Sequence, residues 1–243
     1  MTTDSSLLQY DLGPGVEAFS TRRDSVLPYP VVLGHQVHGF RVAVVERADT
    51  RREELEGYDA LVTALPGCAI GVHTADCVPL LMYDPQHRVV AAVHSGWKGT
   101  VQRISQKVLF VMKQTFGCRP EDIRAAIGPA IGPSSFQVGE EVVQFFKEQN
   151  FPLEDIWSFR PGFSGVPMAD GHHIDLFKAN RWLLEQAGLP SGHIQVCGID
   201  TFTDASFFSA RREGAHCGRI INSLCLSKRK LIKDQYGKPE ESI

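Results

Sequence analysis

The stretch VVAAVH (89–94) is almost continuously apolar and rich in β-branched residues. Such a run reads as a strand buried on both faces, so other structure must cover its sheet above and below. GVEAFST (15–21), FRVAVVE (40–46), ALVTAL (60–65), CAIGVHTA (68–75) and VPLLMYD (78–84) read as further strands, interrupted by Pro66-Gly67 and Pro79. After VVAAVH the period changes. In TVQRISQKVLFVMKQTFG (100–117), Val101, Ile104, Val108, Leu109, Val111, Met112 and Phe116 fall at helical spacing, with Gly117 as the C-terminal stop. IRAAIGPAIGP (123–133) is a strand running into a Gly-Pro turn. GEEVVQFFKEQ (139–149) and IDLFKANRWLLEQAG (174–188) read as helices, and IQVCGIDT (194–201) and IINSLCL (220–226) as strands. Strands and helices mix without strict alternation, which predicts an α+β fold with a mixed sheet, in a single domain over 1–243, rather than a doubly wound fold. No GxGxxG or P-loop is present.

Charge narrows the function classes. The formal net charge is −3, and the one basic cluster, LSKRKLIKDQYGK at the C-terminus, lacks interleaved aromatics and reads as a solvated face. No nucleic-acid partner is expected. No apolar run approaches a membrane span, so no membrane partner is expected either. The six cysteines show no framework spacing and read as free thiols. With no signal-peptide pattern at the start, a cytoplasmic location is expected.

The chemistry concentrates between residues 73 and 100. Cys77 follows an apolar run and sits in TADC, where Thr74 and Asp76 bring polar groups to the end of a buried strand. Alone, a buried free cysteine is most often a small hydrophobe. His94 ends VVAAVH and opens HSGWKGT, whose Gly96 and Gly99 allow close backbone approach. A Cys–His pair supports a thiolate nucleophile with an imidazole base. It equally supports a metal site, since zinc takes sulfur and nitrogen ligands. A third ligand would separate the two, and GHQVHG offers His35 and His38. His38, followed by Gly39, is the better candidate, giving a Cys77, His38, His94 set. His73 lies four residues before Cys77, on the same face of a strand, as a substrate group or a satisfied core histidine. Arg22 in STRR and the arginines of SARR (209–212) could bind phosphate or carboxylate, against the plain reading of surface arginines. His172-His173 reads as a solvated turn, and His87 in DPQHR as exposed.

The motifs QVHG (36–39), TADCVPLL (74–81), VHSGWKGT (93–100), AIGPAIGPSSFQVGEEV (126–142), IDL (174–176), FFSARREG (207–214) and CGR (217–219) resemble, in order and over nearly the whole chain, the YfiH-like family. That family carries the names multicopper polyphenol oxidase, laccase-domain protein and purine nucleoside phosphorylase. The resemblance implies mixed β-sheets in a sandwich flanked by helices, a fold shared with a bacterial deamidating toxin of the CNF type. It implies a metal site of His38, Cys77 and His94. The implied chemistry is zinc-dependent phosphorolysis of adenosine, inosine, guanosine and methylthioadenosine, with adenosine deamination alongside, so that the partners are a purine nucleoside and phosphate. The chain departs from the family pattern after Arg22, where the usual glycines are missing and the segment before QVHG is short; this bears on the substrate wall.

In that reading zinc would sit on Cys77, His38 and His94 with an open position, Asp76 would shuttle a proton, and Arg22 or Lys98 would neutralise phosphate. The rivals are a cysteine hydrolase or amidase using Cys77 and His94, including a cell-wall editing role, a copper (Cu²⁺) polyphenol oxidase, and a non-catalytic nucleotide-binding or partner module. The nine histidines, with no HxH pair, speak against a multicopper centre. A catalytic dyad would have no need of His38.

Overall fold

The structure, a computed structural model, describes residues 7–160 and 171–228. The strands are β1 (Leu7–Gln9), β2 (Val16–Thr21), β3 (Val32–Leu33), β4 (Val42–Val44), β5 (Ala60–Thr63), β6 (Ala69–Thr74), β7 (Val78–Asp84), β8 (Val89–Ser95), β9 (Arg124–Ile127), β10 (Gln137–Val138), β11 (Trp157–Arg160), β12 (Gly171–Ile174), β13 (Ile194–Val196) and β14 (Ile220–Leu226). The helices are α1 (Trp97–Val101), α2 (Ile104–Phe116), α3 (Glu140–Glu148), α4 (Leu153–Ile156), α5 (Leu176–Gln186) and α6 (Ala210–Glu213).

These elements make an α+β fold with two main mixed sheets. One runs β1-β2-β14-β6-β3 and the other β13-β9-β7-β8-β5-β4; a small third sheet has the order β10-β12-β11. The β7–β8 hairpin is central to the second sheet, and the two-residue alternation of a strand divides its side chains between two cores. Val78, Leu80, Met82, Val89, Ala91 and Val93 face α2, α3 and α5, packing with Ile104, Val108, Met112, Phe146 and Leu183. Leu81, Tyr83, Val90 and Ala92 face the other main sheet, packing with Ile70, Val72, Leu224 and Leu226. Burial on both faces is therefore the physical origin of the unbroken apolar runs in the sequence.

Two expectations need correction. The helix read over 100–117 is two helices. Arg103, between them, has a left-handed φ of 60°. Its guanidinium lies 5.3 and 5.4 Å from the ring centroids of Phe151 and Trp182 and donates to the Gln149 carbonyl at 2.8 Å, which offsets the backbone cost. Both helices face the same sheet, so the apolar spacing runs across the break and hides it. His172 and His173 form part of strand β12 rather than a solvated turn, with His173 buried and its Nδ1 on the Gly171 carbonyl. The segment before β14 contains the short α6, where Ser209 caps by accepting from the Arg212 N–H. His87 is exposed in its turn, as expected, and its Nδ1 is bonded to Asp84. The basic tail beyond Lys228 lies outside the described residues. No helix among the described residues is long and apolar enough to cross a membrane.

Candidate active site

The site sits at the open end of the β7–β8 hairpin. Cys77 immediately precedes β7, and His94 is near the end of β8, opposite Pro79 in the register. Gly96 follows: a Cβ there would lie 2.8 Å from Cys77 Sγ, so only glycine lets this strand end pass the thiol. His38 arrives from the segment between β3 and β4. Its ligand atom and those of Cys77 and His94 lie within 4.8 Å of one another, and the two imidazole rings meet edge to face at 4.8 Å and 74°. His94 is buried, Cys77 half-buried and His38 exposed, so the cluster opens to solvent on the His38 side.

Two residues at the site have left-handed backbones, His38 (φ 60°) and Asp76 (φ 88°). Neither conformation is favoured for a residue with a Cβ, and each is held by specific bonds. Asp76 Oδ1 accepts from the Thr201 hydroxyl at 2.7 Å, Oδ2 accepts from the Arg211 N–H at 2.7 Å, and the Asp76 carbonyl accepts from the Ile131 N–H. Both carboxylate oxygens are thus engaged, and Asp76 tethers the turn that carries Cys77 to the 200–213 loop.

His38 is held by a residue that the sequence reading passed over. Asp59, just before β5, has no exposed side-chain surface. Its carboxylate accepts from the backbone N–H groups of Val37, His38 and Gly39 at 2.9 to 3.1 Å and from His94 Nδ1 at 2.7 Å. The signal was a carboxylate set between Tyr58 and the apolar ALV of a strand that the fold buries. By contrast His35, the other histidine of GHQVHG, turns outward and pairs with Glu56 at 2.6 Å.

Electrostatics reinforce the grouping. Burial pushes the Cys77 thiol up, but the charge of His94 and hydrogen bonds from His38 and His94 outweigh it and bring the pKa down to about 6. Burial disfavours charge on His94, yet the Cys77 thiolate and the Asp59 hydrogen bond raise its pKa to about 9. Burial also opposes the charge of Asp59, and the hydrogen bonds from His94, Gly39 and Val37 hold its carboxyl below the usual range.

The other candidates are placed as follows. His73, on β6, is half-buried, and burial together with Arg52, His94 and Arg219 lowers its pKa to about 4, so the ring is neutral at neutral pH. Its backbone is clamped by the Gln36 amide, which bonds both its N–H and its carbonyl. Arg22 donates to Ser206 Oγ at 2.7 Å and lies over Phe207. Lys98 is exposed on α1, beside Trp97. Arg211 and Arg212 are spent on backbone carbonyls, of Ser135 and Gln137 and of Thr201, Phe202 and Phe207.

The donor set suits a metal. With His94 Nδ1 on Asp59, its Nε2 remains for a ligand role, and a carboxylate behind a ligating imidazole is the usual support of such a site. One easily ionised thiolate and two imidazoles match the sulfur and nitrogen preference of zinc and leave a position open. A second group, Asp84, His87 and Cys118, also clusters within 4.8 Å, at the far end of the same hairpin.

Residues 17–227 match the family described as multi-copper polyphenol oxidoreductase laccase. A purine nucleoside phosphorylase of Bacteroides thetaiotaomicron is 39% identical over 229 residues, spanning 88% of this chain and 83% of that protein. Adenosine deaminase RL5, from an unknown prokaryotic organism, is 42% identical over 203 residues, spanning 80% and 74%. The crystal structure of the Bacillus licheniformis hypothetical protein YfiH superposes with a TM-score of 0.80 at 27% identity, covering 91% of this chain and 97% of that one.

Proposed function

We propose, from the premise that this chain belongs to the YfiH-like family of multi-copper polyphenol oxidoreductase laccases, that it is a zinc-dependent enzyme processing purine nucleosides. The reactions are phosphorolysis of adenosine, inosine, guanosine and methylthioadenosine, and deamination of adenosine. The relatives named purine nucleoside phosphorylase and adenosine deaminase support the substrate class. The observation that carries the reading is the convergence of His38 on Cys77 and His94, since a metal needs the third donor and a cysteine–histidine dyad does not.

Zinc on one thiolate and two imidazoles supplies Lewis acidity at its open position. The chain does the rest. Cys77 gives up its proton easily because two imidazoles face it. His94 is held in one orientation by Asp59, and His38 is held at the solvent edge. Asp76, expected to shuttle a proton, also tethers the Cys77 turn through one hydrogen bond to each carboxylate oxygen. Arg22 and Lys98 are offered as the cations for phosphate. His73, a neutral imidazole at neutral pH, is offered to the nucleoside. Copper would also be accepted by a thiolate and two imidazoles. The cluster of His38, Cys77 and His94 would hold one ion rather than a multicopper array, leaving phenol oxidation as a side activity.

One observation favours a second reading. Without a metal, Cys77, His94 and Asp59 have the thiolate, imidazole and orienting carboxylate of a cysteine hydrolase or amidase, including one that edits cell walls. His38→Ala separates the two. The measurements are zinc by elemental analysis, and turnover of adenosine and inosine with and without phosphate. About one zinc per chain in the wild type, lost with turnover in the variant, supports the metal enzyme. A metal-free wild type whose activity survives His38→Ala would replace it with the hydrolase.

A further inference from the structure

Two of the three candidate ligands depend on one side chain outside the cluster. All the acceptor positions of the Asp59 carboxylate are used: Oδ1 takes the His38 N–H at 2.9 Å and His94 Nδ1 at 2.7 Å, and Oδ2 takes the Val37 N–H at 3.1 Å and the Gly39 N–H at 2.9 Å. The residue itself is pinned. Its N–H donates to the Arg41 carbonyl at 3.1 Å, and its carbonyl accepts the His94 N–H at 2.8 Å. His38 has no regular structure around it, a left-handed backbone and an exposed side chain. From outside the cluster, Asp59 hydrogen-bonds both histidines, at the His38 backbone and at the His94 ring.

We propose that Asp59 is the positioning residue of the site, one buried carboxylate setting the approach of the His38 loop and the ring orientation of His94 together. This rests on the metal reading above for its consequence, but not for its geometry. A carboxylate is required, rather than any polar group of that shape. An asparagine would fit the space, yet whichever way its amide turns, two N–H donors would face an NH₂ group. The His38 loop or the His94 ring would then be released, while the Cys77 turn, tethered by Asp76 to Thr201 and Arg211, would stay. Loss of an outer partner of this kind costs roughly 10–100-fold in metal affinity.

The test uses the full-length, metal-stripped chain as wild type, Asp59→Asn and Arg41→Ala. The Arg41 side chain donates to the Glu56 carbonyl and lies on the Tyr58 ring. Its removal therefore loosens the same region without touching the carboxylate, and controls for simple weakening of the loop. Cobalt(II) is titrated by its visible absorption, and the His94 Nδ1 proton is followed by NMR on ¹⁵N-histidine-labelled protein. The expected result has three parts: cobalt affinity weaker by about 10–100-fold in Asp59→Asn, near-wild-type affinity in Arg41→Ala, and a solvent-protected His94 Nδ1 proton lost only in Asp59→Asn. Wild-type cobalt affinity in Asp59→Asn, or a His94 Nδ1 proton equally protected in that variant, would overturn the proposal. A wild type that takes up no cobalt would sink the metal reading. The proton measurement would then still decide the role of Asp59.

Discussion

At one end of the β7–β8 hairpin Cys77 faces two imidazoles; at the other, Cys118 faces the carboxylate of Asp84, with His87 beside it. The donor types overlap and the environments diverge. At the first end the carboxylate, Asp59, stands behind the histidines, so it orients them and leaves nitrogen and sulfur free to meet. At the second end the carboxylate lies inside the cluster and is consumed by it. Asp84 Oδ1 takes the N–H groups of Gln86 and His87, Oδ2 takes His87 Nδ1, and the Cys118 thiol is also bonded to it. Burial and the neighbouring carboxylate push the Cys118 thiol up, whereas the imidazoles bring Cys77 down to about 6. Proximity of donors is therefore a weak criterion for a metal site; where the carboxylate stands decides whether the cysteine yields its proton. The Asp84 end is a hydrogen-bonded lock on the hairpin turn and the end of α2.

This contrast can be broken at several points. The largest effect is expected for Cys77→Ser and His94→Ala, which should lose bound metal and nucleoside turnover together, exceeding the roughly 10–100-fold typical of outer-partner losses. Cys118→Ser should keep both, and metal loss in Cys118→Ser would erase the distinction. Next, a chelator should lower the unfolding free energy of the wild type by about 2.7 kcal/mol if metal was present at 100 times its Kd. Denaturant titration should show this difference in Cys118→Ser as well, and not in Cys77→Ser. Asp84→Ala should cost about 2–3 kcal/mol, because the buried Cys118 thiol and the N–H groups of the turn lose their acceptor; metal content should not move.

The pH dependence sharpens the same point. In the metal-stripped chain, alkylation of Cys77 should follow a thiolate that is half-populated near pH 6, full above that and lost below it. An ordinary thiol would reach half only near ~8.5, and Cys118 should stay unreactive until the chain unfolds. A Cys77 profile centred near the ordinary value would show that the two imidazoles do not act on it. The smallest effect is expected for His87→Ala, a partly exposed partner worth roughly 0–1 kcal/mol by thermal unfolding.

How much of this was legible before folding depended on range. The strands over 78–84 and 89–95 were readable because burial on both faces writes itself into every residue. The start of α5 was readable because Asp175 caps it locally, accepting from the Lys178 N–H. The break at Arg103 was not, since its compensation comes from Phe151 and Trp182, far along the chain. Nor was β12, whose strand partners are β10 and β11.

The site divides in the same way. The residue types at 38, 77 and 94, and the glycine that lets the backbone pass Cys77, are properties of the chain and could be singled out from it. That Asp76 is a tether and that Asp59 stands behind both imidazoles were decided only when β5 was laid beside β8 and the His38 loop was drawn across it. Hydrogen bonds between residues dozens of positions apart leave no period or local motif in a sequence, because their partners are chosen by strand pairing rather than by neighbours along the chain.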